Sequence, residues 1–282
     1  MAGLKSVVLA FLQNYGWHVC DANRTLLRCA TFMVILWVSI LAAFGAGFVN
    51  AVAGGGTLLT FPALLYCGLP AIAANATSTV AIWPGSVTSS WAYRQRLREN
   101  RRLVWILSVP SLIGGLAGAI LLLTTPEKVF RFIVPYLILL ACGLLLVQER
   151  VGRWVVARAA AHPRKHAAAL WLVQLAIGVY GGYFGAGIGI LMLAAMAIFL
   201  PEDLQAANGM KNFLAVLING IAAAYFIFIG AAVLPVALMM MAAAIAGGFV
   251  GARTAQRMSP VLLRAAVVIF GVLVAVRLLT QG

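Results

Sequence analysis

Lys211 is the one charged side chain of this 282-residue chain that stands deep inside an apolar run, in AANGMKNF, with Asn208 and Asn212 at i−3 and i+1. If its helix begins near Asp203, Lys211 lies about 12 Å along the axis. That approaches the middle of a hydrocarbon core roughly 30 Å thick, where a cation costs about 2.5–3.5 kcal/mol. A lysine kept there between two amides suits an anion. The alternative is a lysine that snorkels to the interface or pairs with backbone carbonyls.

A second polar group, Asn75, Thr77, Ser78 and Thr79, lies just after Pro70. Its amide and hydroxyls can hydrogen-bond an oxyanion, or they can cap a helix start. The run Gly54, Gly55, Gly56, Thr57 and the run Gly185 to Gly189 break two further apolar stretches. Such breaks expose backbone N–H groups at helix N-termini, which bind anions, or they let helices pack closely. Asn50, Gln174 and Asn219 are isolated polar residues of the kind that link helices.

Other chemistries lack their residues. All six acids (Asp21, Glu99, Glu127, Glu149, Glu202, Asp203) fall in loops or at span ends, which argues against a cation pathway, a carboxylate proton relay or a carboxylate-pair catalyst. His18, His162 and His166 lie outside the spans, and the four cysteines form no CxxC pair, so neither metal nor other cofactor is expected. GAGIG at 185–189 is not a dinucleotide fingerprint. No nucleophile or His/Asp/Glu cluster lies at depth, so no enzyme is expected.

The elements that must position these residues are membrane helices. The chain is 64% hydrophobic and 9% charged, with mean hydropathy +1.04, whereas soluble domains average about 25% charged residues. Its net charge of +14 comes mainly from basic loops between apolar runs, as the positive-inside rule requires. A nucleic-acid partner is therefore not expected. The partners expected are the lipid bilayer and a small anion, with a homo-oligomer left open. Residues 1–30 read as an interfacial segment, 31–147 as a first transmembrane repeat, 148–166 as a basic cytoplasmic linker and 167–282 as a second repeat. Spans are predicted at 31–53, 71–93, 103–123, 129–147, 167–200, 205–229, 233–252 and 261–279. Trp83, Trp91, Tyr93 and Trp105 read as an interfacial belt beside the basic loop 94–102.

The halves match in order. Gly47, Gly54, Gly56 and Pro70 fall 131 positions before Gly178, Gly185, Gly187 and Pro201. At an offset of 133, Asn75 meets Asn208, Ser78 meets Lys211, Gly114 and Gly118 meet Gly247 and Gly251, and Arg131 meets Arg264. If 31–68 and 167–200 each cross once, the halves are parallel; if each is a hairpin, they are inverted. The charge count leans slightly to parallel. The fold class expected is an all-α polytopic membrane protein of about eight helices in two homologous repeats with broken, glycine-rich helices.

The stretch GFVNAVAGGGTLLTFPALLYCGLP followed by ANATST, together with GGYFGAGIGILM and NGMKN, resembles the TauE/SafE family of sulfite exporter-like permeases. The resemblance covers roughly residues 31–280. It implies a helical permease of the bacterial inner membrane whose substrates include sulfite, organosulfonates and related sulfur compounds. A shared site would then be built from Gly54, Gly55, Gly56, Thr57, Asn75, Thr77, Ser78, Asn208, Lys211 and Asn212. An anion channel and a non-transporting sensor or assembly protein are the rival readings.

Overall fold

The computed structural model describes residues 37–50, 55–92, 94–99, 101–159, 167–199, 204–254 and 260–281. The N-terminal segment 1–30, Gly54, Tyr93 and the HPRKH stretch at 162–166 lie outside the described residues. Every described element is an α-helix. The first half holds α1 (Trp37–Asn50), α2 (Thr57–Tyr66), α3 (Ala71–Ala92), α4 (Arg94–Glu99), α5 (Arg101–Thr124) and α6 (Glu127–Ala159). The second holds α7 (Ala167–Tyr183), α8 (Ile188–Phe199), α9 (Leu204–Ile229), α10 (Leu234–Thr254) and α11 (Pro260–Gln281).

Five helices, α5, α6, α9, α10 and α11, contain stretches long and apolar enough to cross a bilayer. Their outer faces carry exposed Trp105, Phe132, Leu146, Phe228, Leu238 and Leu273. A bundle with such an exterior needs hydrocarbon, and helices satisfy their own backbone groups there. The chain is an integral membrane protein. Trp91 and Trp105 are exposed, as an interfacial belt requires. Trp83 is not: it is half-buried and donates its indole N–H to the Val216 carbonyl of α9 at 3.0 Å.

The broken segments fold back on themselves. Ser39 meets Cys67 at 3.5 Å, Gly45 faces Leu59, and Gly56 N–H reaches Asn50 Oδ1 at 2.8 Å, so α2 returns along α1. Gly181 faces Ile188, and residues from both ends of the α7–α8 pair, Leu170 and Met196, share one apolar cluster with Leu107. Among the described residues this is the hairpin routing, α2 back along α1 and α8 back along α7, not the single-crossing one. Glycine supplies the reversal: Gly55, Gly185 and Gly187 all have positive φ, and such a turn exhausts the helical direction of the segment. Both turns reach α6, Gly55 against Leu145 and Gly187 against Leu144.

Helix contacts repeat across the halves. On α5, Gly114 meets Gly178 and Gly118 meets the Val179 carbonyl of α7; on α10, Gly247 meets the Phe44 carbonyl, while Gly47 of α1 meets that of Ala244. A Cβ at Gly118, Gly182, Gly47 or Gly247 would strike opposing backbone, so these pairs approach at a distance that only glycine permits. The α5–α7 pair runs in parallel, since Ser111 meets Gln174, Gly114 meets Gly178 and Gly118 lies between Val179 and Tyr183. By contrast, α3 runs antiparallel to α9, with Trp83 at Val216 and Thr77 at Val233 just past the end of α9, and α6 runs antiparallel to α11 through Cys142–Val268 and Glu149–Arg264. Glu127, at the start of α6, accepts hydrogen bonds from Ala71 N and Ile72 N, so a carboxylate caps the first turn of α3.

Candidate functional site

Lys211 lies in the second turn of α9, and its aliphatic stem crosses Gly189 at the start of α8. A Cβ at Gly189 would come within 2.9 Å of Lys211 Cδ, which explains a glycine at a helical position. Two positive features therefore meet: the ammonium-bearing side chain and the N-terminus of a helix that begins inside the bundle. Arg264 lies on α11, the helix packed against α6. Its guanidinium pairs with Glu149 at 3.0 Å, while its Nε–H is buried without a partner among the described residues. Gln148 Oε1, one residue from Glu149, is likewise buried and unpartnered among them. Lys211 itself has no carboxylate partner among the described residues. Asn208 and Asn212 are half-buried on the same helix.

The first-half residues form a separate cluster. Asn75, Thr77 and Ser78 are almost fully buried. Thr77 Oγ1 accepts the Val233 N–H at 3.0 Å, which anchors the turn before α10. Ser78 Oγ and Thr60 Oγ1 are 2.5 Å apart, joining α3 to α2. Asn75 Nδ2 donates to the Tyr183 carbonyl at 2.9 Å, and its Oδ1 has no partner among the described residues. Thr79 donates back to the Asn75 carbonyl at 2.9 Å.

The turn residues are packed. Thr57 is buried, Gly56 N–H is taken by Asn50, and Gly55 lies under Leu145. Gln174 donates to Ser111 at 2.9 Å and Asn50 closes the α1–α2 turn, so both link elements as their isolation suggested. Asn219 faces Gly185 in the other turn.

The structure thus gathers Lys211 with Gly189, and Asn75 and Ser78 with Thr60 and Tyr183, but keeps the two groups apart. Ser78 precedes Trp83 by five residues and Lys211 precedes Val216 by five, in antiparallel helices that cross at Trp83 and Val216. Lys211 and Ser78 are therefore separated by about 15 Å along the helix direction. Arg264 was legible only as the repeat partner of Arg131. Thr60 and Tyr183 gave no signal beyond their place beside the glycine breaks. No group of His, Cys, Asp or Glu capable of holding a metal occurs among the described residues.

The family model described as sulfite exporter TauE/SafE matches residues 39–278. A probable membrane transporter protein of Haemophilus influenzae is 28% identical over 86% of this chain and 94% of its own length. The probable membrane transporter protein ORF9 of a Sinorhizobium species is 29% identical over 86% of this chain and 91% of its own. The probable membrane transporter protein YfcA of Escherichia coli is 25% identical over 88% and 92%. No solved structure gives a significant match.

Proposed function

Because the chain belongs to the sulfite exporter TauE/SafE family, we propose that it exports small sulfur-containing anions, such as sulfite or organosulfonates, by alternating access. The family and the relatives are those of a membrane transporter protein. The observation that carries the anion reading is Lys211 laid across the start of α8 with no carboxylate partner among the described residues. A cation beside a helix N-terminus is electrostatically unfavourable until a negative charge joins it. Lys211 supplies charge, Arg264 extends it, and Asn208 and Asn212 orient the oxygens of a small oxyanion through charge-assisted and amide hydrogen bonds. The bacterial inner membrane is the proposed location.

The proposed architecture is two homologous halves in inverted orientation, each a hairpin followed by three crossings. Reciprocal glycine contacts, α5 on α7 and α10 on α1, support it, as do the antiparallel pairs α3–α9 and α6–α11. Inverted halves give two equivalent packings of one bundle against the other, which is the basis of alternating access. No ATP-binding motif is present in the sequence, so a gradient drives the cycle, and no chemical conversion of the substrate is part of it.

Labelled sulfite flux into proteoliposomes tests this reading. Saturable flux in the wild type that falls at least tenfold in Lys211→Met supports it. Unchanged flux in Lys211→Met removes the lysine from the mechanism, and absence of sulfite-specific flux removes the substrate.

A further inference from the structure

The first-half cluster has a chemistry of its own. Asn75 is 1% exposed, and the hydrogen bond from its Nδ2 to Tyr183 O leaves Oδ1 as an acceptor with no donor among the described residues. Ser78 lies at i+3, on the same face of α3. Thr60 Oγ1 is 2.5 Å from Ser78 Oγ and donates to the Gly56 carbonyl at 3.4 Å. With Thr60 turned toward Gly56, Ser78 donates to Thr60, and its own oxygen keeps free lone pairs. The Tyr183 carbonyl closes the C-terminal end of α7, the negative end of that helix. The pieces are adjacent, because the Phe61 and Phe184 rings, neighbours of Thr60 and Tyr183 in sequence, pack edge to face at 5.7 Å. Phe61, Phe130 and Phe184 are fully buried and wall the cluster.

Every group left over here is an oxygen acceptor, and none carries a charge. An anion finds no donor in such a set. A divalent cation wants carboxylates, whereas a dehydrated monovalent cation is held by neutral carbonyl, amide and hydroxyl oxygens. We propose that Asn75 Oδ1, Ser78 Oγ and the Tyr183 carbonyl form a binding site for a monovalent cation of sodium size at the junction of α2, α3 and α7. The binding stands on this geometry alone; its use as the coupling ion of transport rests on the anion-carrier reading.

Thermal unfolding of the purified full-length protein in sodium chloride against choline chloride, at constant ionic strength, tests the site. A ligand that binds only the folded state raises the unfolding midpoint, here by about 3 °C when sodium is well above its dissociation constant. The rise is expected in the wild type and in Asn208→Leu, absent in Asn75→Leu, and retained or enlarged in Asn75→Asp, which restores an acceptor. Equal midpoints in sodium and choline for the wild type would overturn the proposal and leave water as the partner of Asn75. A full sodium shift in Asn75→Leu would overturn it equally. Should Asn75→Leu fail to fold, Ser78→Ala takes its place, with a reduced shift expected and an undiminished one contradicting the site. A midpoint shift by sulfite that Lys211→Met abolishes is read separately, so failure of the anion reading and failure of the cation site are distinguishable.

Discussion

Where the second half places Lys211 against Gly189, the first half places Ser78 against Thr60. These are matched positions, since Ser78 and Lys211 are 133 residues apart like Asn75 and Asn208. Around them the packing is shared: a glycine-turned hairpin, a polar helix beside it, then helices joined to the other half. The chemistry is not shared. One pole is a cation beside a helix N-terminus; the other is a set of buried oxygens beside a helix C-terminus. On the proposed reading of two homologous halves, a change at one matched position is enough to give the two places opposite electrostatic demands.

The shared part of this comparison breaks most severely at the glycine contacts. Gly182→Val sets a side chain into the Gly115 carbonyl, and Gly247→Val sets one into that of Phe44. Each is expected to destabilise the protein by about 3 kcal/mol, at the upper end of overpacking costs. Detergent-resistance melting of both variants checks this. Damage confined to one half would break the equivalence of the two contacts.

The unshared part is sharpened at Lys211. Lys211→Met is expected to weaken sulfite binding by roughly 10–100-fold, the worth of a charged hydrogen bond, with melting little changed. Ser78→Lys is expected to do the reverse, leaving an unpaired cation against Thr60 and lowering the midpoint without adding a second sulfite site. Sulfite titrations followed by melting separate the two effects.

A smaller asymmetry lies at the helix starts. Glu127 caps α3 from α6, but position 260, its match, is proline, and the second half carries Glu202 and Asp203 directly before α9 instead. Glu127→Gln is expected to cost about 1 kcal/mol through loss of a charged cap. The smallest effect is expected at the crossing itself. Trp83→Phe removes the bond to Val216 and is expected to cost about 1 kcal/mol or less, read as a shift in unfolding midpoint.

Much of this organisation is legible in the residues. Apolar runs of membrane length gave α5, α9, α10 and α11 nearly to the residue, and the depth of Lys211 follows from where its helix starts. The glycine breaks were equally visible, but their direction was not. Three glycines say that a helix stops; they do not say whether the chain continues or returns, since that depends on contacts such as Ser39–Cys67, 28 residues apart. The charge count decides little for a related reason, because Arg253 and Arg257 change sides with the routing while the larger basic loops do not. Trp83 looked interfacial because it is aromatic and near a basic loop. It is a bundle residue because Gly220 of α9 leaves room for its indole. Arg264 carried no signal of its own in an apolar run of ordinary length, and its ion pair with Glu149 arises only where α11 packs on α6.

Counterflow of labelled sulfite in proteoliposomes tests the central claim most directly. A carrier with one alternating site draws label in faster when the vesicles are preloaded with unlabelled sulfite. The account predicts such acceleration in the wild type and its loss in Lys211→Met. Flux that is linear in concentration and indifferent to preloading would make the protein a channel, and counterflow that survives in Lys211→Met would place the anion elsewhere.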